Sequence, residues 1–113
     1  MRGTILIYKP HDPRPVVIEI EGEPTLPALK DAIGGGYLEV VPRFTHIHHD
    51  GKVHRCVAFC DEDGKRKQLP YNAHATQLWD AVMRASVGCG CAPDYLVGQI
   101  GVVFGDPAFM KAL

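Results

Sequence analysis

An α+β domain is the fold this sequence predicts: a mostly antiparallel sheet of five or six strands, with one main helix and one short helix packed on one face. Three observations carry the prediction. Short apolar or β-branched runs recur between turns rich in Gly, Pro and Asp. One stretch, "LPYNAHATQLWDAVMRAS", has apolar residues at helical spacing. A shorter one, "EPTLPALKDAIGGG", opens and closes with capping residues. The 113 residues suit a single domain, 1–113, able to bury about two thirds of its unfolded surface.

In chain order, "TILIYK" (4–9) and "VVIEIEG" (16–22) read as two antiparallel strands around the turn "PHDPRP". Thr25 then offers a helix N-cap, Leu26, Leu29 and Ile33 share one face, and Gly34 is the stop. "YLEVVPRF" returns to strand, with Pro42 implying an edge or a bend. The histidine-rich hairpin "FTHIHHDGKVHRC" (44–56) follows, and its second strand, 52–60, runs into "DEDGKRKQ". There Asp63-Gly64 signals another tight turn in a meander, with Asp61, Glu62 and Asp63 as a solvated tip. Asn72 caps the main helix, which carries Ala75, Leu78, Trp79, Val82 and Ser86. "YLVGQIGVVFGD" (95–106) follows as a continuous apolar run suited to a central strand.

Lysine plus arginine (12) nearly balance aspartate plus glutamate (13), which argues against a broad positive field for nucleic acid or a membrane surface. The opening "MRGTILIYKPHDPRP" is broken by prolines and charges, so it reads as neither signal peptide nor membrane span. A cytoplasmic location is the expectation. Cys56, Cys60, Cys89 and Cys91 are then reduced thiols.

Taken in order, "AIGGGYLEVV", "FCDEDGKRKQLPYNAHAT" and "YLVGQIGVVFG" resemble the family called domain of unknown function 3846. The resemblance lies in a Gly-Gly-Tyr before a strand, an acidic-Gly-Lys turn, a Leu-Pro-x-Asn helix start and a Gly-containing last strand. It spans 29–105. It implies a phage, prophage or plasmid setting in bacteria, where small proteins often bind host or defence components, and it supplies no catalytic residues. The histidine hairpin and the Cys89-Gly90-Cys91 loop depart from the pattern.

The hairpin admits two registers. With a two-residue loop, Asp50-Gly51, His46 and His48 lie on one face and His54 and Cys56 on the other. With a three-residue loop, His49-Asp50-Gly51, His46 sits opposite His54 with Cβ atoms about 5 Å apart, and His48 and Cys56 join them. The second register separates apolar from polar side chains better and is the one expected. It makes His46, His48, His54 and Cys56 candidate zinc ligands, since imidazoles and a thiolate suit that metal. Histidine also serves on a half-exposed sheet face without binding anything. Cys89 and Cys91 match no common zinc spacing.

At the main helix, Arg43, Tyr71, Asn72 and His74 are candidates for a small anion or nucleotide pocket, beside the plainer role of Asn72 as a cap. No nucleophile motif surrounds any serine or cysteine, so catalytic residues are none. The expected function is a non-enzymatic binding protein acting on a host or defence component through an exposed sheet face or edge. A homo-oligomer would suit such a sheet. A zinc module and a signal-nucleotide sequestering protein are the alternatives.

Overall fold

Residues 5–8 and 101–104 are apolar or glycine without interruption, and they fill the two strands with the most buried pattern, β1 (Arg2–Tyr8) and β7 (Ile100–Gly105). Continuous apolar strands require cover on both faces, and both are covered. The sequence of elements, in a computed structural model that describes residues 1–87 and 94–113, continues with β2 (Val16–Glu21), α1 (Leu26–Ala32), β3 (Leu38–Val40), β4 (His46–His49), β5 (Lys52–Arg55), β6 (Val57–Asp61), α2 (Ala73–Val87) and α3 (Pro107–Lys111). The five-stranded antiparallel sheet has the order β2-β1-β7-β6-β3, and β4-β5 form a separate two-stranded sheet. The fold is α+β, with β7 central and β3 on an edge.

Alternation along β1 sends Leu6 and Tyr8 to one core, with Ala75, Trp79 and Met83 of α2, and Ile5 and Ile7 to another, with Leu29, Ala32 and Phe109 of α1 and α3. The helices therefore lie on opposite faces, which corrects the expectation that the main and short helices share one. The helical pattern reveals which face of a helix is buried, but not which side of the sheet receives it. α3 was not expected from the sequence. Asp106 caps it, accepting from the Phe109 N–H at 2.8 Å, and Pro107 occupies its first turn. Phe109 is fully buried against Gly3 and Gly105, where a Cβ would sit 2.2 Å and 2.6 Å from its ring.

The caps at Thr25 and Asn72 are as expected. The Thr25 hydroxyl accepts from the Ala28 N–H at 3.3 Å, and Gly34 follows α1 with φ 82°. Asn72 Oδ1 accepts from the Ala75 N–H at 3.1 Å. Its Nδ2 donates to the Tyr8 and Gly98 carbonyls, both at 2.9 Å, so one side chain fixes the start of α2 to the end of β1. Trp79 Nε1 donates to the Pro42 carbonyl at 2.8 Å and ties α2 to the chain after β3.

The hairpin corrects the expected register. His46 pairs with Arg55, Ile47 with His54, His48 with Val53 and His49 with Lys52, so the loop is Asp50-Gly51 alone. Asp50 and Gly51 have φ of 51° and 74°, the positive values of a type I′ turn, whose twist matches its strands. The three-residue loop assumed one continuous strand over 52–60. That strand breaks at Cys56, where the chain leaves the two-stranded sheet for the five-stranded one. Alternation does not carry across the break, so apolar segregation summed through it points the wrong way. Nor does a meander follow β6: 62–68 are successive turns, with Gly64, Lys67 and Leu69 N–H groups donating to the Asp61, Asp63 and Gly64 carbonyls. The Cys89-Gly90-Cys91 loop lies outside the described residues.

Candidate functional site

The two-residue loop separates the four proposed zinc ligands. His46 and His48 share the outer face of the hairpin with Val53 and Arg55, all exposed, while Ile47 and His54 point inward. His54 lies flat on Phe104, ring centroids 4.1 Å apart at 22°, and His49 approaches the same ring at 5.8 Å. A histidine ring here acts as an apolar packing surface. Cys56 is buried, with its Sγ 3.6 Å from the Phe44 carbonyl, and burial pushes its thiol up to about 12. Zinc needs its donors at about 2.0–2.3 Å around one point, with cysteine as thiolate. Donors on opposite faces of a sheet do not meet that demand, and no group of three or more His, Cys, Asp or Glu among the described residues is placed to hold a metal ion.

What the hairpin builds instead is an apolar cleft against α2. Ala75, Trp79 and Met83, four apart, form the stripe of α2 that enters the core. Leu78, Ala81, Val82 and Ala85 form a second stripe at i, i+3, i+4 and i+7. This second stripe, with Ile47, Val53, His46 and His48, lines a cleft of about 290 Å³. Its floor is aliphatic, and Val53 on its hairpin wall is 57% exposed. The ionisable groups on the outer hairpin face are His46, His48 and Arg55. Asp80 on α2 is already paired with Arg84 at 2.9 Å.

The second set of candidates is partly assembled. Tyr71, Asn72 and His74 line a cavity of about 370 Å³ with Lys9, His11, Asp12 and Gln77. Arg43 is not in that lining; it lies in the turn between β3 and β4 with φ 65°. Tyr71 is half exposed and meets Tyr95 edge-on at 6.1 Å, and the His74 ring lies 5.5 Å from that of Tyr8. Asn72 is 1% exposed, and its three hydrogen bonds use both donors and the carbonyl inside the fold.

A further site escaped the sequence reading. Asp61, expected on a solvated tip, is 8% exposed. Its Oδ1 accepts from the Asp63 N–H at 2.9 Å and its Oδ2 from Lys67 Nζ at 2.7 Å. Burial drives its carboxyl upward, but the Lys67 and Asp63 hydrogen bonds and the Lys67 charge outweigh that and hold it below its ordinary value. A Cβ on Gly36 would lie 2.6 Å from Asp61 Oδ2, and Gly36 has φ 88°, so glycine is required twice over. Leu69 likewise packs on Gly64 and Gly98. The glycine, acidic-turn, Leu-Pro and last-strand motifs thus meet in one corner. Asp61 is locked inward by the backbone N–H of Asp63 and the ammonium of Lys67, and of these only Lys67 is a side-chain signal in the sequence.

Nearby, Cys60, Trp79, Lys65, Asp94 and Tyr95 help line another cleft of about 290 Å³. Lys65 Nζ lies 2.6 Å from Asp94 Oδ1 and 4.3 Å above the Tyr95 ring. Burial first, then the Glu39 and Asp61 charges, push the Cys60 thiol up to about 11, far from the lowered value a cysteine nucleophile needs.

Among known proteins, the family model described as Domain of unknown function (DUF3846) matches residues 1–103. No curated protein and no solved structure matches the chain.

Proposed function

The chain belongs to the DUF3846 family, and from that premise we propose that it is a non-enzymatic binding protein of a phage, prophage or plasmid, which receives an amphipathic helix of a host or defence protein in the cleft between the hairpin and α2. One observation carries the reading: α2 has two apolar stripes and the fold fully buries only one of them, leaving Leu78 and Val82 half-buried and Ala81 and Ala85 exposed. A helix whose apolar side chains recur at i, i+3, i+4 and i+7 is matched by a groove of the same kind. Ala81 and Ala85 leave room for a second backbone to come close. An acidic residue flanking the partner's stripe would face Arg55, which favours encounter and register more than raw affinity.

The test is affinity capture from host cells with the unaltered chain and with Val82→Lys. Val82 is only half buried, so the variant should keep its fold, checked by the emission of the single tryptophan, Trp79. A lysine ammonium in an aliphatic cleft should weaken the captured complex at least about tenfold, or roughly 1.4 kcal/mol. A partner retained undiminished by Val82→Lys overturns the reading.

A further inference from the structure

A second surface is the free edge of β2. β2 is the end strand of the five-stranded sheet and, among the described residues, pairs on one side only, with β1. Val16, Val17 and Ile18 are 42%, 45% and 42% exposed, so both faces of the strand are open. Edge strands are ordinarily protected by charge, proline or a bulge. Here the ladder to β1 is unbroken from Arg2↔Glu21 to Ile7↔Val16, and 16–18 hold no charge. The acids beyond them are drawn back over β1: Glu21 pairs with Arg2 at 2.9 Å and Glu19 accepts from the Thr4 hydroxyl at 3.1 Å. We propose that two copies of the chain join through β2, antiparallel about a two-fold axis at Ile18, making one continuous sheet from two.

The backbone sets this register. The Gly22 N–H donates to the Met1 carbonyl at 2.9 Å, and directly opposed residues share hydrogen bonds only at every second pair of an antiparallel ladder. Ile20, Ile18 and Val16 therefore direct their N–H and C=O groups toward β1, while Val17, Glu19 and Glu21 direct theirs outward. In a two-fold pairing, outward groups must meet outward groups, so the axis falls on Val17, Ile18 or Glu19. An axis at Glu19 sets that carboxylate against its own copy, which is destabilising. An axis at Val17 sets Glu19 against Pro15, which has no N–H to give. An axis at Ile18 sets Val17 against Glu19 of the second copy, and every outward N–H and C=O of both residues finds a partner. It also lays Ile18 on its own copy and Val16 on Ile20, extending an apolar strip across the junction. A strand junction buries less than the ~800 Å² per partner of a standard interface, so the dimer is concentration-dependent.

The experiment is sedimentation over a concentration series together with mild oxidation of Ile18→Cys and Val17→Cys, with disulfides located by peptide mass. Opposed residues at the axis that share no hydrogen bonds have Cα atoms about 4.5 Å apart, within disulfide reach. Ile18→Cys should join to its own copy and Val17→Cys should not. Val17→Pro should be monomeric at every concentration, because proline there removes an outward N–H and no bond to β1. A chain that stays monomeric throughout, self-joining at position 17 instead of 18, or a Val17→Pro variant that still dimerises would each overturn the proposal. Loss of the dimer leaves the cleft between the hairpin and α2 untouched, so the two readings fail separately.

Discussion

Replacing Asn72 by alanine separates a structural cap from a ligand-binding residue. The substitution deletes two donations, to the Tyr8 and Gly98 carbonyls, and one acceptance, from the Ala75 N–H. At about 1 kcal/mol net for each hydrogen bond the loss is about 3 kcal/mol. The site is 1% exposed, so the abandoned carbonyls are not readily rescued by bulk water, and this value is closer to a floor than a ceiling. Against a total stability of about 5–15 kcal/mol it is a large fraction, and at about 4–8 °C per kcal/mol for a small domain it lowers Tm by roughly 12–24 °C. Urea unfolding followed through Trp79, which is 4% exposed and the single tryptophan, reads the change directly. Asn72→Ser keeps an acceptor for the helix start and loses only the two donations, so it should cost about 2 kcal/mol. A cost below about 1 kcal/mol for Asn72→Ala, or a nucleotide that stabilises the chain only when Asn72 is present, would refute the assignment of this side chain to the fold.

Acid stability should depend on Lys67. The Asp61 carboxyl is held below its ordinary value, so its contribution is present above the unfolded pKa of about 3.9 and is lost as pH falls through the lower folded value. Lys67→Met removes the hydrogen bond and charge that oppose burial, so acid unfolding should begin at a higher pH; superimposable acid limbs by circular dichroism would refute this. In the hairpin, Gly51→Ala should cost about 1–2 kcal/mol, because φ 74° is left-handed. Asp50→Asn should be close to neutral, since asparagine also tolerates that region. Equal stabilities of the two variants in urea would speak against the two-residue loop.

The parts of the fold legible in the sequence are those set within a few residues. Thr25 and Asn72 start their helices locally with their own side chains, and the residues at 101–104 and 5–8 are apolar wherever they pack. What the sequence did not reveal depends on partners far along the chain. Cys56 breaks a strand because β5 and β6 belong to different sheets, and no property of 52–60 records that. Asp61 is turned inward by Gly36, twenty-five places earlier by the numbering, and by Lys67. Asp106-Pro107 was a readable start signal, but a five-residue helix offers too little periodicity to confirm it. The expected register of the hairpin failed for the most local reason of all: the type I′ preference of Asp-Gly is stronger information than an alternation summed across a break.

The two-sided burial of the sheet narrows where any partner can bind. With α2 on one face and α1 and α3 on the other, the middle of the five-stranded sheet offers no open face. Binding is left to its rim, and the rim is unequal. β3 presents only 38–40, too short for a stable added strand, while β2 runs for six residues, all exposed except the half-buried Ile20. A copy of the chain can take the β2 edge because backbone pairing there needs no side-chain pocket. The cleft beside α2 has a shaped aliphatic floor and a wall that carries His46 and His48 but no free ladder, so it suits a helix. The two surfaces ask for different secondary structures, and one occupant cannot substitute for the other. Dimerisation would therefore present two such clefts on one assembly, raising the effective affinity for any partner that is itself paired.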